Sequence, residues 1–345
     1  MSGDSGRPTP PDAEPRPTSP AQVDAWQRGT VPPLEAVRDD VWALGLGMEG
    51  DRLPYSLLYL LRDAEGGLHI VDPGTDSDAN FDAVSVALTV LGASWSDLRT
   101  ITVTHLHPDH LGMAERLREA SGAEVALSGA EADALARLGE LWLSPDDVAK
   151  RAAAWGVPEP RTAELIDGAG RAPDYPRVTV DRRLDDGQEL GIPGFSLRAL
   201  TTPGHTPGHL CLVDEPRSLL FSGDHILPTL FAGLSLGGPT SSNALADYVD
   251  SCERVEALGD LEVLPGHAYR FRGLGERARE SAGHHLRRTG EVAAVLSADP
   301  AASVWTIASQ LTWTAGWENL SGFFLWSALS QTEMHRSYVR SGRVG

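Results

Sequence analysis

A short motif with four metal-binding side chains, placed directly after a run of β-branched residues, constrains the fold of this chain more than any other segment. The run TITVT over residues 100–104 predicts a strand, and Pro108 lies where it can begin a helix, since proline is favoured in a first helical turn. Side chains two apart in an extended segment project to the same side, and the turn into the helix brings the following ones close to them. The motif therefore predicts a compact site at the end of a strand, formed by His105, His107, Asp109 and His110.

Three later segments place further ligand-type side chains in turns that follow predicted strands. They read TPGHTPGH from residue 202, SGD from residue 222 and PGH from residue 265, and they add His205, Asp224 and His267. Loops at strand ends, held by a rigid scaffold, are common positions for binding and catalytic groups. Imidazole and carboxylate groups suit Zn(2+), which in catalytic sites has about three protein ligands and one position for water. Together the seven side chains are enough to hold two metal ions.

The order of the motifs H-x-H-x-D-H, P-G-H-T-P-G-H, S-G-D and P-G-H resembles the metallo-β-lactamase superfamily, and within it the glyoxalase II-like, lactonase-like and small-nuclease branches. The resemblance covers residues 37–273 and implies a four-layer αββα sandwich with the metals at one edge, between two sheets. It implies that one metal is held by His105, His107 and His205, and the other by Asp109, His110 and His267. Asp224 would bridge the two metals, and Asp72 of the VDPG segment would support the metal loop.

The resemblance also implies a metal-dependent hydrolase with two divalent metal ions, for which Zn(2+) is preferred and iron or manganese are alternatives. A metal-bridging hydroxide is expected to attack the carbonyl of a thioester, lactone or ester. Asp109 is the expected catalytic residue, because it would orient the nucleophile while it serves as a ligand. Three other functions stay open: a phosphodiesterase or nuclease of the same fold, a mononuclear-iron sulfur dioxygenase, and a non-catalytic metal-binding protein. His209, His225 and Tyr269 lie close to candidate ligands in the sequence, and their roles stay undecided.

The charge of the chain bears on the type of substrate. The formal net charge is −19 and Lys150 is the only lysine, whereas affinity for nucleic-acid backbones comes from lysine and arginine. A small-molecule acyl substrate is therefore expected rather than a nucleic acid. An exception would be a basic groove built from the arginines that follow the last ligand, namely Arg270, Arg272, Arg277, Arg279, Arg287 and Arg288.

Neither the cysteines nor the apolar runs point to an exported or membrane protein. Cys211 and Cys252 do not form a C-x-x-C pair, and no apolar run reaches the roughly 18 residues that a membrane span needs. The N-terminus also lacks an apolar segment of the signal-peptide type. We therefore expect a cytoplasmic protein, and whether it forms a homo-oligomer stays open.

Two changes in composition predict three parts of the chain. The first twenty residues contain six prolines and little that is apolar, which favours a flexible N-terminal tail, placed over residues 1–36. Residues 37–272 carry all the ligand motifs and are expected to form the catalytic α/β domain. Residues 273–345 are rich in tryptophan and phenylalanine and are expected to form a separate helical or winged-helix-like module.

Overall fold

The computed structural model describes residues 15–50, 53–137, 144–168, 175–238, 242–313 and 315–343. Its strands are β1 (Arg16–Pro17), β2 (Glu35–Arg38), β3 (Val41–Gly47), β4 (Tyr55–Arg62), β5 (Leu68–Val71), β6 (Leu98–Thr102), β7 (Glu124–Ser128), β8 (Arg182–Leu184), β9 (Arg198–Thr201), β10 (Leu210–Asp214), β11 (Leu219–Gly223), β12 (Glu262–Pro265) and β13 (Phe271–Arg272). Its α-helices are α1 (Pro20–Arg28), α2 (Asp78–Val90), α3 (Pro108–Leu111), α4 (Ala114–Ser121), α5 (Gly129–Ala136), α6 (Pro145–Trp155), α7 (Glu159–Gly168), α8 (Ala244–Glu256), α9 (Leu274–Ala298), α10 (Val304–Ala308) and α11 (Gly322–Arg340).

The strands form two sheets that pack face to face. Over the described ranges, one sheet has six strands in the order β1–β13–β12–β11–β10–β9, and the other has seven in the order β2–β3–β4–β5–β6–β7–β8. Helices α2 and α4 share a hydrophobic cluster with the seven-stranded sheet, and α8 and α9 share another with the six-stranded sheet. This arrangement confirms the expected layered sandwich of helices around two sheets.

Strand β4 shows why the two sheets stack, because it buries both of its faces. Its odd-numbered residues point into the cluster between the sheets, where the rings of Tyr59 and Phe221 lie 5.3 Å apart, edge to face. Its even-numbered residues Leu58 and Leu60 belong to the cluster beneath α2, together with Val84. Side chains alternate between the faces of a strand, so a nearly continuous apolar run is buried from both sides.

Parallel strand pairs bring the ligand segments to one edge of the sandwich. Strands β5, β6 and β7 are parallel neighbours in one sheet, and β11 and β12 are parallel neighbours in the other. Asp72 follows β5, the motif that begins at His105 follows β6, Asp224 follows β11 and His267 comes shortly after β12. Since the carboxyl ends of parallel neighbours meet at the same edge, residues far apart in the sequence converge there.

Residues 15–36 correct the prediction of a flexible tail over residues 1–36, of which residues 1–14 lie outside the described residues. Strand β1 pairs with β13, and α1 begins at Pro20, where a proline is tolerated because its missing N–H has no partner in a first helical turn. Ser19 caps this helix, and the ring of Trp26 lies 5.9 Å from that of Tyr55. Composition predicted disorder because the first twenty residues contain few apolar side chains, and that count misses the cap at Ser19 and the packing of Ala25 and Trp26 against the core between the sheets.

The C-terminal helices correct the prediction of a separate module, although their helical character was expected. Leu274 and Ala278 of α9 lie in one hydrophobic cluster with Leu245 of α8. The rings of Trp326 in α11 and Trp155 in α6 are 4.8 Å apart, in a cluster that α6 and α7 share with α10 and α11. The core is therefore continuous across residue 273. Among the described residues, no helix combines the length and the hydrophobicity that crossing a membrane requires.

Candidate metal centre

All seven predicted ligands lie together at the edge where the parallel strands end. In the part of the chain that the structure describes, three groups of side chains have ligand atoms within 4.8 Å of one another: His105, His107 and His205; His105, His110 and Asp224; and Asp109, His110 and His267. Two of these groups have the membership that the resemblance implies. We call His105, His107 and His205 the first ligand group, and Asp109, His110 and His267 the second.

The first ligand group presents three ring nitrogens to a common point. His107 Nδ1 lies 3.0 Å from His105 Nε2 and 3.1 Å from His205 Nε2. The other nitrogen of each ring is held by the protein: His205 Nδ1 lies 2.7 Å from the carbonyl oxygen of Gly233, and His107 Nε2 lies 3.1 Å from that of Leu236. A carbonyl only accepts, so each outer nitrogen carries the proton and the inner nitrogen keeps its lone pair.

His105 has its tautomer set in the same way through a hydroxyl. Thr104 Oγ1 donates to Asp72 Oδ2 over 2.8 Å and therefore accepts from His105 Nδ1 over 3.0 Å. Thr104 N also donates to Asp72 Oδ1 over 2.7 Å. The inner Nε2 of His105 is then free to act as a ligand, as in the outer contacts that orient ligand histidines.

In the second ligand group the outer nitrogen of each imidazole is also held by the protein, but carboxylates take part both as a hydrogen-bond acceptor and as a ligand. His110 Nδ1 donates to Asp72 Oδ2 over 2.9 Å, and His267 Nδ1 donates to the carbonyl oxygen of Tyr55 over 2.9 Å. Their inner Nε2 atoms face each other at 3.3 Å. Asp109 Oδ2 completes the group at 3.1 Å from His267 Nε2.

Asp224 lies between the two groups and turns one oxygen towards each. Its Oδ2 is 3.7 Å from His205 Nε2, whereas its Oδ1 is 3.4 Å from His110 Nε2 and 3.5 Å from His267 Nε2. Within the described part of the chain, Oδ1 is buried and has no hydrogen-bond partner. A buried carboxylate oxygen without a donor is costly, so these residues fit a bound cation.

The two groups differ in the protonation that their surroundings favour. Burial lowers the pKa of His205 to about 4, and burial together with the neighbouring imidazoles lowers the pKa of His105. Burial also opposes charge on His267, but Asp224 and Asp109 outweigh it and raise its pKa to about 10. The pKa of His110 is raised well above its ordinary value for the same reason. The surroundings therefore favour neutral imidazoles in the first ligand group and positively charged imidazoles in the second.

The close packing of the metal centre requires a glycine at position 266, next to His267. A Cβ atom on Gly266 would lie 2.5 Å from His110 Cε1 and 2.6 Å from Asp224 Oδ1. Both distances are far inside van der Waals contact, so any larger residue would displace a ligand. The glycine of the PGH motif is thus explained by the closeness of β12 to the other ligand loops.

Two residues beside the ligands have structural contacts that the sequence left undecided. His209 Nε2 accepts a hydrogen bond from the backbone N–H of Asp224 over 3.2 Å, and its Nδ1 lies 2.8 Å from Thr202 Oγ1. His225 is fully buried behind the site, where the hydroxyl of Tyr248 donates to its carbonyl oxygen over 2.9 Å. His209 therefore supports the backbone of Asp224, whereas His225 is held in the core beside it. Glu131, which contacts two ligand loops, was not predicted from the sequence. The pattern S-x-x-E over residues 128–131 is typical of a helix start and does not by itself indicate such a contact.

The arginines considered for a basic groove are mostly engaged elsewhere. Arg270 is buried and pairs with Glu262 at 2.9 Å, and buried Arg277 donates to the carbonyl oxygens of Leu227 and Leu230. The further contacts are Arg272 with Asp260, Arg279 with Glu256, and Arg288 with the ring of Trp313. These contacts leave little free positive charge for a polyanion.

Comparisons with known proteins agree with this geometry. A family model described as the metallo-beta-lactamase superfamily matches residues 52–267. Acyl-coenzyme A thioesterase MBLAC2 of Gallus gallus is 31% identical over 223 residues, which cover 62% of this chain and 71% of that protein. A probable polyketide biosynthesis zinc-dependent hydrolase of Bacillus velezensis is 27% identical over 175 residues, or 50% of this chain and 58% of that protein.

A solved structure extends the likeness beyond the sandwich. The crystal structure of a metallo-beta-lactamase family protein from Thermus thermophilus has a TM-score of 0.68 at 27% identity, and the match covers 89% of this chain and 95% of that one. The expected fold and the expected hydrolase class are thereby confirmed. With a family match over more than half of its length, this chain belongs to the metallo-β-lactamase superfamily and is a hydrolase of that fold.

Proposed function

We propose that this chain hydrolyses an acyl thioester at a two-metal site, with lactones and simple esters as related carbonyl substrates. The observation that carries the proposal is the complete ligand cluster, in which five imidazoles turn their inner nitrogens towards one another and Asp224 turns one oxygen to each group. The names of two relatives, an acyl-coenzyme A thioesterase and a polyketide biosynthesis hydrolase, support acyl chemistry.

The proposed ligands divide as the geometry suggests. The first ligand group would hold one divalent metal, the second would hold another, and Asp224 would contact both. A pair of such ions would lower the pKa of a coordinated water to about 7 and polarise the substrate carbonyl. Zn(2+) is the proposed metal, since imidazole and carboxylate groups suit it, with iron or manganese as alternatives.

The chain supplies an orienting carboxylate and an apolar contact around these ions. Asp109 has the most exposed side chain among the carboxylates of the site, at 21%, and His110 and His267 hold its pKa below the usual range against the opposing effect of burial. It is thus an ionised group at the open side, able to orient an attacking water by accepting a hydrogen bond from it. Leu236, which is 46% exposed and whose carbonyl oxygen holds His107, offers an apolar contact for the acyl group.

The charge distribution separates acyl from phosphodiester substrates. The chain has a net charge of −19, and five of the six candidate arginines have carboxylate, carbonyl or ring partners. An extended polyanion would be repelled, because its affinity depends on free cationic groups. A small acyl substrate does not need them.

The test combines a metal count with a panel of acyl-coenzyme A thioesters, lactones, esters and phosphodiesters. We expect about two metals per chain and thioester turnover that a chelator removes. Asp224→Ala should lower kcat/KM by more than the roughly 100-fold typical of losing an outer contact, with the thermal unfolding curve little changed. Asp250→Asn, at an exposed residue paired with Arg343, is the matched control and should keep full activity.

Two results would overturn the proposal. One is full metal content and full turnover in Asp224→Ala. The other is cleavage of phosphodiesters alone, with a rate that collapses between roughly 50 and 200 mM salt.

A further inference from the structure

Glu131 is a buried carboxylate that contacts two ligand loops at once. It lies in the first turn of α5 and is fully buried. Its Oε2 accepts a hydrogen bond from the backbone N–H of Leu106 over 2.8 Å, and its Oε1 accepts one from the backbone N–H of Gly208 over 2.6 Å. The two oxygens therefore join segments that are about a hundred residues apart in the sequence.

Both partners stand next to ligands of the first group. Leu106 lies between His105 and His107, and Gly208 lies in the loop that begins with His205. A Cβ atom on Gly208 would be 2.6 Å from the backbone nitrogen of Glu131, so the start of α5 packs directly against this loop. The second glycine of the TPGHTPGH motif is explained by this contact.

The helix itself does not need this glutamate. Ser128 already caps α5, because its hydroxyl accepts from the backbone N–H of Glu131 over 3.1 Å. No ion pair of Glu131 with a basic side chain occurs among the described residues. Burial raises the pKa of Glu131 to about 7, while the two loop N–H groups and the hydroxyl of Thr206 oppose this shift and favour the carboxylate.

We propose that Glu131 is a positioning residue that sets the distance between the His105–His107 loop and the His205 loop. The inference rests on the proposed metal site and not on the substrate. Two N–H donors approach one side chain, and a carboxylate offers an acceptor oxygen to each. A glutamine offers one oxygen and one NH2 group, and the NH2 would face the second N–H donor. Aspartate keeps both oxygens but is shorter by one methylene.

The experiment compares Glu131→Gln with the wild-type chain in two measurements that need no substrate. Amide hydrogen exchange should show loss of protection at Leu106 and Gly208. One of the two N–H groups would lose its acceptor oxygen, and the hydrogen bond of the other would become weaker. Zinc titration should show about 10–100-fold weaker binding at one of the two sites and unchanged binding at the other. Asp133→Asn, at an exposed residue of the same helix that pairs with Arg183, is the matched control and should change neither.

Unchanged exchange at both amides together with unchanged zinc affinity would overturn the proposal. If Glu131→Gln does not fold, Glu131→Asp decides in the same two measurements, because it conserves the charge and alters only the reach. A chain that binds two metals but hydrolyses no carbonyl substrate would refute the proposed function and leave this inference intact. A chain that hydrolyses thioesters, but whose Glu131→Gln variant keeps both amides protected, would support the proposed function and refute this inference.

Discussion

The two ligand groups are made of similar residues but are supported by opposite ends of the chain. In the first group, His107 and His205 rest on carbonyl oxygens of a loop that Arg277 of the C-terminal helix α9 holds at Leu227 and Leu230, whereas His105 rests on Thr104. The second group rests on Asp72 and on the carbonyl oxygen of Tyr55, within the seven-stranded sheet. The N-terminal segment lies behind it, where Gln22 Oε1 accepts from the backbone N–H of Arg270 over 2.9 Å.

The difference also extends to charge. In the first group three imidazoles are neutral and their outer contacts are uncharged, whereas the second contains Asp109 and is flanked by Asp72 and Asp224. Carboxylate contacts make imidazole ligands more basic and fix their orientation. We therefore expect changes near the second group to act mainly through tautomer and charge, and changes near the first to act mainly through loop position.

The largest expected effect comes from Asp72→Asn. The asparagine oxygen can still accept from the N–H of Thr104, but the NH2 group would face His110 Nδ1 and shift the proton of that ring to Nε2. That nitrogen could then no longer bind a metal. The NH2 group would also face Thr104 Oγ1, which can still accept from His105 Nδ1 of the first group. Zinc affinity of the second group should fall by about 10–100-fold in a titration, while the first group should change less.

Asp76→Asn provides the control for this variant, because Asp76 is exposed and pairs with Arg116 at 3.2 Å. It should keep both affinities. Equal loss at both groups in Asp72→Asn would show that the two halves are one mechanical unit, which would break the comparison.

A smaller effect is expected from Arg277→Ala, which removes the C-terminal support of the first group. Hydrogen bonds to a charged donor contribute about 1.5–3 kcal/mol each, so the free energy of unfolding should fall by about 3 kcal/mol. Zinc affinity of the first group should fall by about tenfold, the lower end for supporting residues, since Gly233 and Leu236 lie further along the same loop. Denaturant unfolding and zinc titration measure the two effects.

Arg279→Ala is the matched control on the same helix, because its partner Glu256 lies on the surface and its own side chain is 59% exposed. Its unfolding free energy should stay within about 0.5 kcal/mol of wild type. A selective loss at the second group in Arg277→Ala would contradict the assignment of the C-terminal helix to the first group.

The smallest expected effect comes from Gln22→Ala in α1. It leaves the buried N–H of Arg270 without an acceptor, which should lower the free energy of unfolding by about 1–3 kcal/mol. The affinity of the second group should fall less than in Asp72→Asn, since Arg270 is three residues from His267. Gln27→Ala, at an exposed position of the same helix, should leave stability unchanged in the same denaturant measurement.

If Gln22→Ala unfolds with the same free energy as Gln27→Ala, the N-terminal segment gives no support to the second group. In their support, the two ligand groups would then differ only in that a loop supports the first and the seven-stranded sheet supports the second.

Structural features that depend only on residues close together in the chain could be predicted from the sequence. A strand that runs into H-x-H, a proline that starts α3 and glycines beside His205 and His267 are local patterns, and each limits the backbone at its own position. The nearly continuous apolar run of β4 and the helical spacing of α9 are local as well. The sequence by itself therefore determined the type of fold and the set of candidate ligands.

Contacts between distant segments were decided only by the tertiary structure. His267 donates to Tyr55, Glu131 joins Leu106 to Gly208, and residues 15–28 pack behind the second ligand group through polar contacts. No local pattern encodes these pairs, because they depend on strand register and on how loops from two sheets meet at one edge. The tautomers of the ligand histidines follow from such contacts, so the metal-binding state of each ring is a property of the assembled fold.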